Sequence, residues 1–128
     1  RVERAHPRLP LRQEKGYTHL VRYQRLIERH YREQPSITWM ANQLGITATH
    51  LNTHCQRLAG SSAKLLLHER VMLEAKRLLT YTNMTISEVA YQLGFSEPAY
   101  FTRFFKRNTK LSPKTFRQQR QNSSPPTN

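Results

Sequence analysis

The side chains best suited to specific chemistry in this chain are an arginine and an asparagine, each on the outward face of a short predicted helix. Arg103 belongs to the later of the two helices and Asn52 to the earlier one. A guanidinium can donate two hydrogen bonds to guanine in the major groove, and an asparagine amide can pair in the same way with adenine. Both positions therefore indicate base recognition in duplex DNA rather than catalysis.

Helical spacing divides the neighbours of these two residues into an inward and an outward face. The inward residues are predicted to be Leu51, Cys55 and Leu58, with His54 beside them, and Phe101, Phe104 and Phe105. The outward residues are Thr49, Asn52, Thr53 and Gln56 in the earlier helix and Ala99, Thr102, Arg103 and Lys106 in the later one. Threonine and alanine can contact thymine methyl groups, which suits this surface to a base-pair edge.

A second group of polar or basic residues is suited to holding DNA phosphates, which positions a protein without reading sequence. The predicted phosphate contacts are Thr47, Gln56, Arg57, Ser96, Lys106, Arg107, Lys110, Lys114 and Arg117.

Each of the two reading helices follows a repeated segment. The stretch from Ile37 to Ile46 returns as Ile86 to Phe95, with isoleucine, alanine, leucine and glycine at the same offsets. The three apolar residues lie at i, i+4 and i+7 on one buried stripe, and the glycine lies beyond the helix end, where the chain reverses with positive φ. The second turn holds one extra residue. Two copies predict a duplicated helix-turn-helix.

Helix start and stop residues complete an all-α fold of about seven helices. Thr85 and Glu88 form a capping box, and Ser96 is predicted to cap the later reading helix, with Pro98 in its first turn. The predicted order is a linker or arm (1–16), a DNA-binding domain (17–117) and a disordered tail (118–128). Within the domain are a first helix from Thr18 to about Tyr31, a helix-turn-helix (36–59), a linker helix (62–80), a second helix-turn-helix (85–108) and a last helix (112–119).

The charge indicates a polyanionic partner. Lysine and arginine number 21 against 8 acids, a formal net charge of +13, and all the acids are glutamates. The absence of aspartate removes most metal-carboxylate and catalytic-dyad arrangements. One cysteine excludes an internal disulfide and, with no signal peptide or membrane-spanning run, favours the cytoplasm. The first residue is Arg1, so we expect a fragment of a longer protein.

Three other classes are open to this sequence. A zinc enzyme is suggested by His50 and His54 at i, i+4 with Cys55 adjacent, but no glutamate lies between them, no third ligand is near in sequence and Cys55 faces inward. No enzyme activity, metal or cofactor is therefore predicted. RNA binding favours exposed aromatic residues, for which only Tyr91 and Tyr100 qualify. A protein-interaction helical bundle predicts no salt-dependent DNA affinity.

The second copy and its tail resemble the AraC/XylS family of bacterial transcription regulators. The matching residues are Ile86, Ala90, Gly94-Phe95, Tyr100-Phe101, Arg103, Phe105-Lys106, Leu111-Ser112-Pro113 and Phe116-Arg117. The match extends back through Glu74 to Leu79 and the first copy, over about residues 18–117. The resemblance implies two recognition helices in successive major grooves, with base contacts at Thr49, Asn52, Thr53, Ala99, Tyr100, Thr102 and Arg103.

The resemblance also implies partners and marks some departures. Family members are most often activators that contact RNA polymerase, and their small-molecule effector binds an N-terminal domain not visible in this sequence. Some DNA-repair methyl-acceptor proteins carry a similar domain, but they need a cluster of reactive cysteines.

The sequence departs from the family pattern at several positions. Here Cys55-Gln56 replaces an aromatic residue and a lysine, and His54 stands at a position that is usually apolar. Lys110 occupies a glycine position, where positive φ costs lysine about 1 kcal/mol.

Overall fold

The structure is a computed structural model that describes residues 11–122, with side chains described from Gly16 onward. Within that range the chain forms seven α-helices, one short 3₁₀ helix and no strand. The helices are α1 (Leu11–His30), α2 (Ile37–Gln43), α3 (Ala48–Ala59), α4 (Ala63–Tyr81), α5 (Ile86–Gln92), α6 (Pro98–Thr109) and α7 (Pro113–Asn122), with the 3₁₀ helix at Tyr31–Glu33. The all-α prediction is confirmed.

These helices form two compact units. Among the described residues, the first unit comprises residues 11–29 and the segment Pro35–Leu66, and the second comprises His30–Gln34 and residues 67–122. The helix pair α2–α3 lies in the first unit and the pair α5–α6 in the second. Each unit therefore contains one helix-turn-helix.

The first unit packs around α1. Tyr23 on this helix is fully buried, together with Met40 of α2 and Leu51 of α3. The Tyr23 hydroxyl donates a hydrogen bond of 2.6 Å to the carbonyl oxygen of Ala63, the first residue of α4. This bond satisfies the one polar atom on a buried ring and fixes the start of α4.

The second unit has an aromatic core. Phe101 and Phe105 of α6 are fully buried, and the ring of Phe116 on α7 lies edge-on to Phe105 at a centroid distance of 5.2 Å. Phe95 from the preceding turn contacts Phe101 at 5.4 Å. Such tilted and edge-to-face pairs hold ring orientations as well as burying area, so α6 has a fixed rotational setting in this unit.

The two turns have the same hydrogen-bond pattern. The amide of Ile46 donates to Ala41 and that of Phe95 to Ala90, over 3.1 and 3.0 Å. Gly45 and Gly94 have φ values of 74° and 88°. The predicted positive-φ reversals are confirmed, and the sequence repeat is a structural repeat.

Gly94 has a second requirement besides its φ angle. A side-chain carbon at this position would collide with the backbone carbonyl of Arg32. Beside it, the Gln34 amide donates a 2.8 Å hydrogen bond to the carbonyl oxygen of Leu93. The segment after α1 therefore holds the second turn through the Gln34 side chain, and the Arg32 backbone lies too close to Gly94 for a larger residue.

Two predicted boundaries differ from the structure. Helix α1 begins at Leu11, so the last part of the predicted arm is helical. Gly16 lies inside this helix, where a side-chain carbon would meet Arg57 and His54, so the glycine allows the helix to pack closely against α3. Helix α7 continues to Asn122, because residues 118–122 contain no proline or glycine to stop it. Residues 1–10 and 123–128, which hold the rest of the predicted arm and tail, lie outside the described residues.

Among the described helices, none is both long and apolar enough to cross a membrane.

Candidate nucleic-acid interface

Helix α3 presents a polar face with a defined start. The Thr47 hydroxyl accepts the backbone N–H of His50 at 3.0 Å and so caps the helix. Leu51 and Cys55 are fully buried and Leu58 is half-buried, as the spacing predicts. The opposite face forms an open groove lined by Thr49, Asn52, Thr53, Gln56 and Arg57. All of these side chains are exposed except the half-buried Asn52.

Asn52 is less available for base reading than its position in the sequence indicates. Its Oδ1 accepts a 2.8 Å hydrogen bond from the backbone N–H of Ala63, at the start of α4. Bidentate pairing with adenine uses both the oxygen and the amino group of the amide. In this structure the oxygen instead satisfies an N–H that the first turn of a helix leaves without an intrahelical partner, which leaves the amino group of Asn52 for a base contact.

Helix α6 carries the arginine at the surface. Arg103 is exposed, and its guanidinium carbon lies 5.0 Å from the centroid of the exposed Tyr100 ring. The ring restricts the arginine and leaves its hydrogen-bond donors at the edge. Ala99 is exposed and Thr102 half-buried on the same helix, above Phe101, Phe104 and Phe105 in the core. The aromatic core thus supports a surface that presents one large donor group.

The start of α6 corrects a predicted cap. The N-cap is Glu97 rather than Ser96, and no side chain caps it. Pro98 at the start of the helix forces an extended backbone on the residue before it, and Glu97 accordingly has φ −143° and ψ 142°. Ser96 remains an exposed residue of the turn.

Most of the predicted phosphate residues of the second unit are exposed. They are Lys106 and Arg107 on α6, Lys110 in the turn that follows, and Lys114 on α7. Lys110 has a φ of 70° and its N–H donates to the carbonyl oxygen of Lys106 at 2.7 Å. The expected positive-φ turn is therefore present with a lysine in it.

Arg117 does not belong to this exposed group. Its Nε donates to the carbonyl oxygen of Leu79 at 2.9 Å, and its terminal nitrogen lies 3.3 Å from that of Thr82. These carbonyls belong to the end of α4, where four acceptors lack intrahelical partners. Arg117 therefore ties α7 to the end of α4, a structural role that the predicted phosphate contact did not anticipate.

A histidine stack supports α3 from the side of α1. The His54 ring lies 5.1 Å from that of His19 on α1 and 5.0 Å from that of His50. Arg57 places a guanidinium nitrogen 3.2 Å from Nδ1 of His54. Burial, and then the positive charge that His19, His50 and Arg57 carry or acquire, lowers the pKa of His54 below its ordinary value.

The environment of the cysteine is apolar. Burial raises the pKa of the Cys55 thiol to about 11, so the thiol stays protonated at neutral pH. In the described part of the chain, no group of three histidine, cysteine or acidic side chains is placed to hold a metal ion.

One basic surface of the first unit has no place in the predicted site. Arg22, Arg25 and Arg29 of α1 line a cavity of about 310 Å³ together with Gln43 of α2. In the sequence, the spacing of these three arginines predicts only that they share a solvent-facing side of the helix. The cavity adds an anion-attracting surface to this unit.

A family model for a helix-turn-helix domain matches residues 40–119, well over half of the chain. The chain is an AraC-type helix-turn-helix domain. It belongs to a family of DNA-binding transcription regulators, as the resemblance predicts.

Comparison with curated proteins agrees with this assignment. An uncharacterised HTH-type transcriptional regulator of Staphylococcus aureus is 35% identical over 91 residues, which cover 71% of this chain and 12% of the regulator. The AraC-type domain thus spans only a small part of the length of such relatives.

Two solved structures have a similar fold. The C-terminal domain of AraT, a response regulator from Geobacillus stearothermophilus, matches with a TM-score of 0.77 and 26% identity, over 86% of this chain and 91% of that one. The DNA-binding domain of AdpA, a global transcriptional factor solved in complex with a target DNA, matches with a TM-score of 0.71 and 25% identity, over 78% and 90%.

Proposed function

We propose that this AraC-type domain binds duplex DNA sequence-specifically, with α3 and α6 as two recognition helices that enter successive major grooves. The main support is the exposed face of α6, where Arg103 stands above a fully packed aromatic core. A helix seated in the major groove reads base edges through residues of this kind at its N-terminal part. The AdpA domain, whose structure includes a target DNA, lends support by its similar fold.

The proposed base contacts differ in strength between the two helices. In the second unit Arg103 reads guanine, and Ala99, Tyr100 and Thr102 contact neighbouring bases. In the first unit Thr49 and Thr53 make apolar or single hydrogen-bond contacts, and Asn52 contributes through its amino group because its oxygen accepts from Ala63. The Thr53 hydroxyl donates to the carbonyl oxygen of Thr49, so in this proposal Thr53 contacts a base through its methyl group. The second unit is therefore the stronger reader.

Phosphate contacts surround both helices in this proposal. They are Thr47, Gln56 and Arg57 in the first unit and Ser96, Lys106, Arg107, Lys110 and Lys114 in the second. All are exposed, and their excess of positive charge favours a polyanion.

The regulatory outcome we propose is activation of transcription through RNA polymerase bound nearby. Its support is the resemblance to AraC/XylS regulators, whose members most often activate. By the same resemblance, a small-molecule effector would act on a separate N-terminal domain of the full-length protein.

A matched pair of substitutions tests the division between reading and positioning residues. Bound DNA is first selected from a random duplex library with the unaltered domain, and its affinity is measured by fluorescence anisotropy over a range of salt concentrations. Arg103→Ala should cost about 1–3 kcal/mol on the selected site and relax the preference at one base pair. Lys106→Ala should weaken binding to all sequences and reduce the dependence on salt by about one phosphate contact.

Identical effects of the two substitutions on selected and random DNA would refute this division. A selection that yields no enriched sequence would refute sequence-specific binding itself.

A further inference from the structure

We propose that a groove along the second half of α4 docks an acidic amphipathic helix of another protein. The groove lies wholly in the second unit and is lined by residues of α4 and α7. It contains none of the residues assigned to DNA contact.

Large apolar side chains are unusually exposed in this groove. Leu73 is 62% exposed and Tyr81 80% exposed, the highest values among the large hydrophobic side chains of the described residues. Both line the same cavity of about 510 Å³, where Phe116 forms part of the wall. Scattered single apolar residues are normal on a surface, but a pair that shares one concave site is typical of a protein-interaction surface.

The rim of the groove is positively charged. Arg70, Lys76, Arg77 and Arg120 line it together with a single acid, Glu74.

Glu74 does not offset that charge toward a ligand. It is only 4% exposed, and Arg77 holds both its carboxylate oxygens at 2.9 and 2.6 Å. Arg32 and Arg70 lie within 3.6 and 3.9 Å of the same carboxylate. The bidentate bond from Arg77 holds the pKa of Glu74 below its ordinary value, so the carboxylate stays ionised and paired. The net charge at the groove mouth is therefore positive, with Lys76 and Arg120 in addition to the arginines around Glu74.

The exposed apolar wall and the basic rim together indicate which kind of ligand fits the groove. DNA phosphates match the basic rim but gain nothing from Leu73 and Tyr81, and a second copy of this chain carries a net charge of +13 that opposes its approach. A helix with leucine-like residues at i, i+3, i+4 and i+7 and glutamates at its flanks matches both the apolar wall and the cationic rim. Charge complementarity therefore favours an acidic partner protein.

The test uses a fluorescein-labelled peptide of about 16 residues, with leucines at that spacing, glutamates at their flanks and alanines at the remaining positions to favour the helix. A control peptide keeps the glutamates and replaces each leucine with serine. By anisotropy, the leucine peptide should bind at least about tenfold more tightly than the control, because burying even one large apolar side chain has that effect. Leu73→Ser and Lys76→Glu should each reduce its affinity, the former by about tenfold.

Matched variants on the first-unit portion of α4 separate the groove from general charge. Leu65→Ser and Lys64→Glu alter exposed residues of the same helix that do not line the groove, and should change peptide affinity by less than about twofold. Circular dichroism checks that each variant keeps its helices. Amide resonances of Thr80 and Tyr81 should shift when the leucine peptide binds.

Competition with duplex DNA tests whether the peptide binds the groove or the DNA-contacting face. Binding of peptide and DNA to the same molecule supports it, whereas displacement of the peptide by DNA would overturn it, since the peptide would then occupy the DNA-contacting face. Equal binding of both peptides, or an unchanged affinity in Leu73→Ser, would also overturn it. So would dimerisation of the domain alone in sedimentation analysis if Leu73→Ser abolished that dimer.

Discussion

At the scale of single residues, α3 and α6 end in the same backbone conformation with different residue types. Gly60 terminates α3 with a φ of 73°, and Lys110 terminates α6 with a φ of 70°. Each donates its N–H to the carbonyl four residues back. A left-handed conformation costs a side-chain-bearing residue about 1 kcal/mol relative to glycine. The domain therefore stores strain at Lys110.

Replacing Lys110 with glycine should stabilise the domain and weaken DNA binding. Relief of about 1 kcal/mol of left-handed strain, less about 0.5 kcal/mol for the larger entropy of glycine in the unfolded chain, should raise the free energy of unfolding by about 0.5 kcal/mol. Loss of the proposed phosphate contact should lower duplex affinity. Urea unfolding and anisotropy on the selected DNA measure the two effects.

The reverse change at Gly60 is the control. A side-chain carbon there meets nothing within 4 Å, so Gly60→Lys should destabilise the domain through backbone strain alone. If Lys110→Gly were neutral while Gly60→Lys was costly, some favourable interaction of the Lys110 side chain would have to offset the strain.

At the scale of elements, α3 packs against α1 through a buried histidine whose pKa is shifted. His54 of α3 is only 8% exposed and lies between His19 of α1 and His50. Its folded-state pKa lies below the ordinary value of 6.5, because burial and the positive charge of its neighbours disfavour the imidazolium. At pH values below 6.5 the unfolded chain therefore binds more protons at this site than the folded one does.

The free energy of unfolding of the first unit should consequently decrease as the pH is lowered. The contribution of His54 to this stability is complete above pH 6.5. It is lost as the pH falls from there through the lower folded-state pKa of His54. Trp39, the one tryptophan in the chain, lies on α2 and reports on this unit. Urea unfolding followed by its fluorescence should show a lower midpoint at about pH 5 than at about pH 7.5.

Substitution of the histidine should remove much of that difference. His54→Leu fills an inward position with an apolar side chain that does not titrate, so its midpoint should vary less between the two pH values. His68→Gln alters a histidine of the second unit and should leave the dependence unchanged. An identical dependence in His54→Leu would assign the effect to other groups.

At the scale of the whole molecule, two units repeat one architecture with different surfaces. Both turns close with the same reversal bond, from Ile46 to Ala41 and from Phe95 to Ala90, yet α3 offers threonines and a partly engaged asparagine where α6 offers an arginine on a tyrosine ring. If each unit places its helix in a major groove, the DNA site is asymmetric. The second unit then contributes more of the sequence preference.

Hydroxyl-radical footprinting on the selected duplex should therefore show two protected segments about 10 bp apart. Arg103→Ala should weaken protection mainly in the segment that loses its base preference, because the first unit keeps its contacts. Protection of a single segment by the unaltered domain would contradict the two-helix proposal.

Local sequence determined much of this fold, for physical reasons visible in particular residues. The capping box of Thr85 and Glu88 is present with both of its hydrogen bonds, at 3.0 and 2.8 Å, because its two partners are close neighbours in the chain. The inward faces of α3 and α6 follow from helical periodicity alone. The glycine turns follow from the φ angles that only glycine adopts freely.

Side-chain roles that depend on distant partners were decided only by the tertiary structure. Asn52 and Arg117 look equally available for DNA in the sequence, but one accepts from the start of α4 and the other donates to its end. Likewise, nothing near Gly16 in the sequence indicates that His54 and Arg57 pack against it. Periodicity specifies which face of a helix is polar, whereas the unpaired N–H and C=O groups at helix ends decide which of those polar side chains the protein keeps for itself.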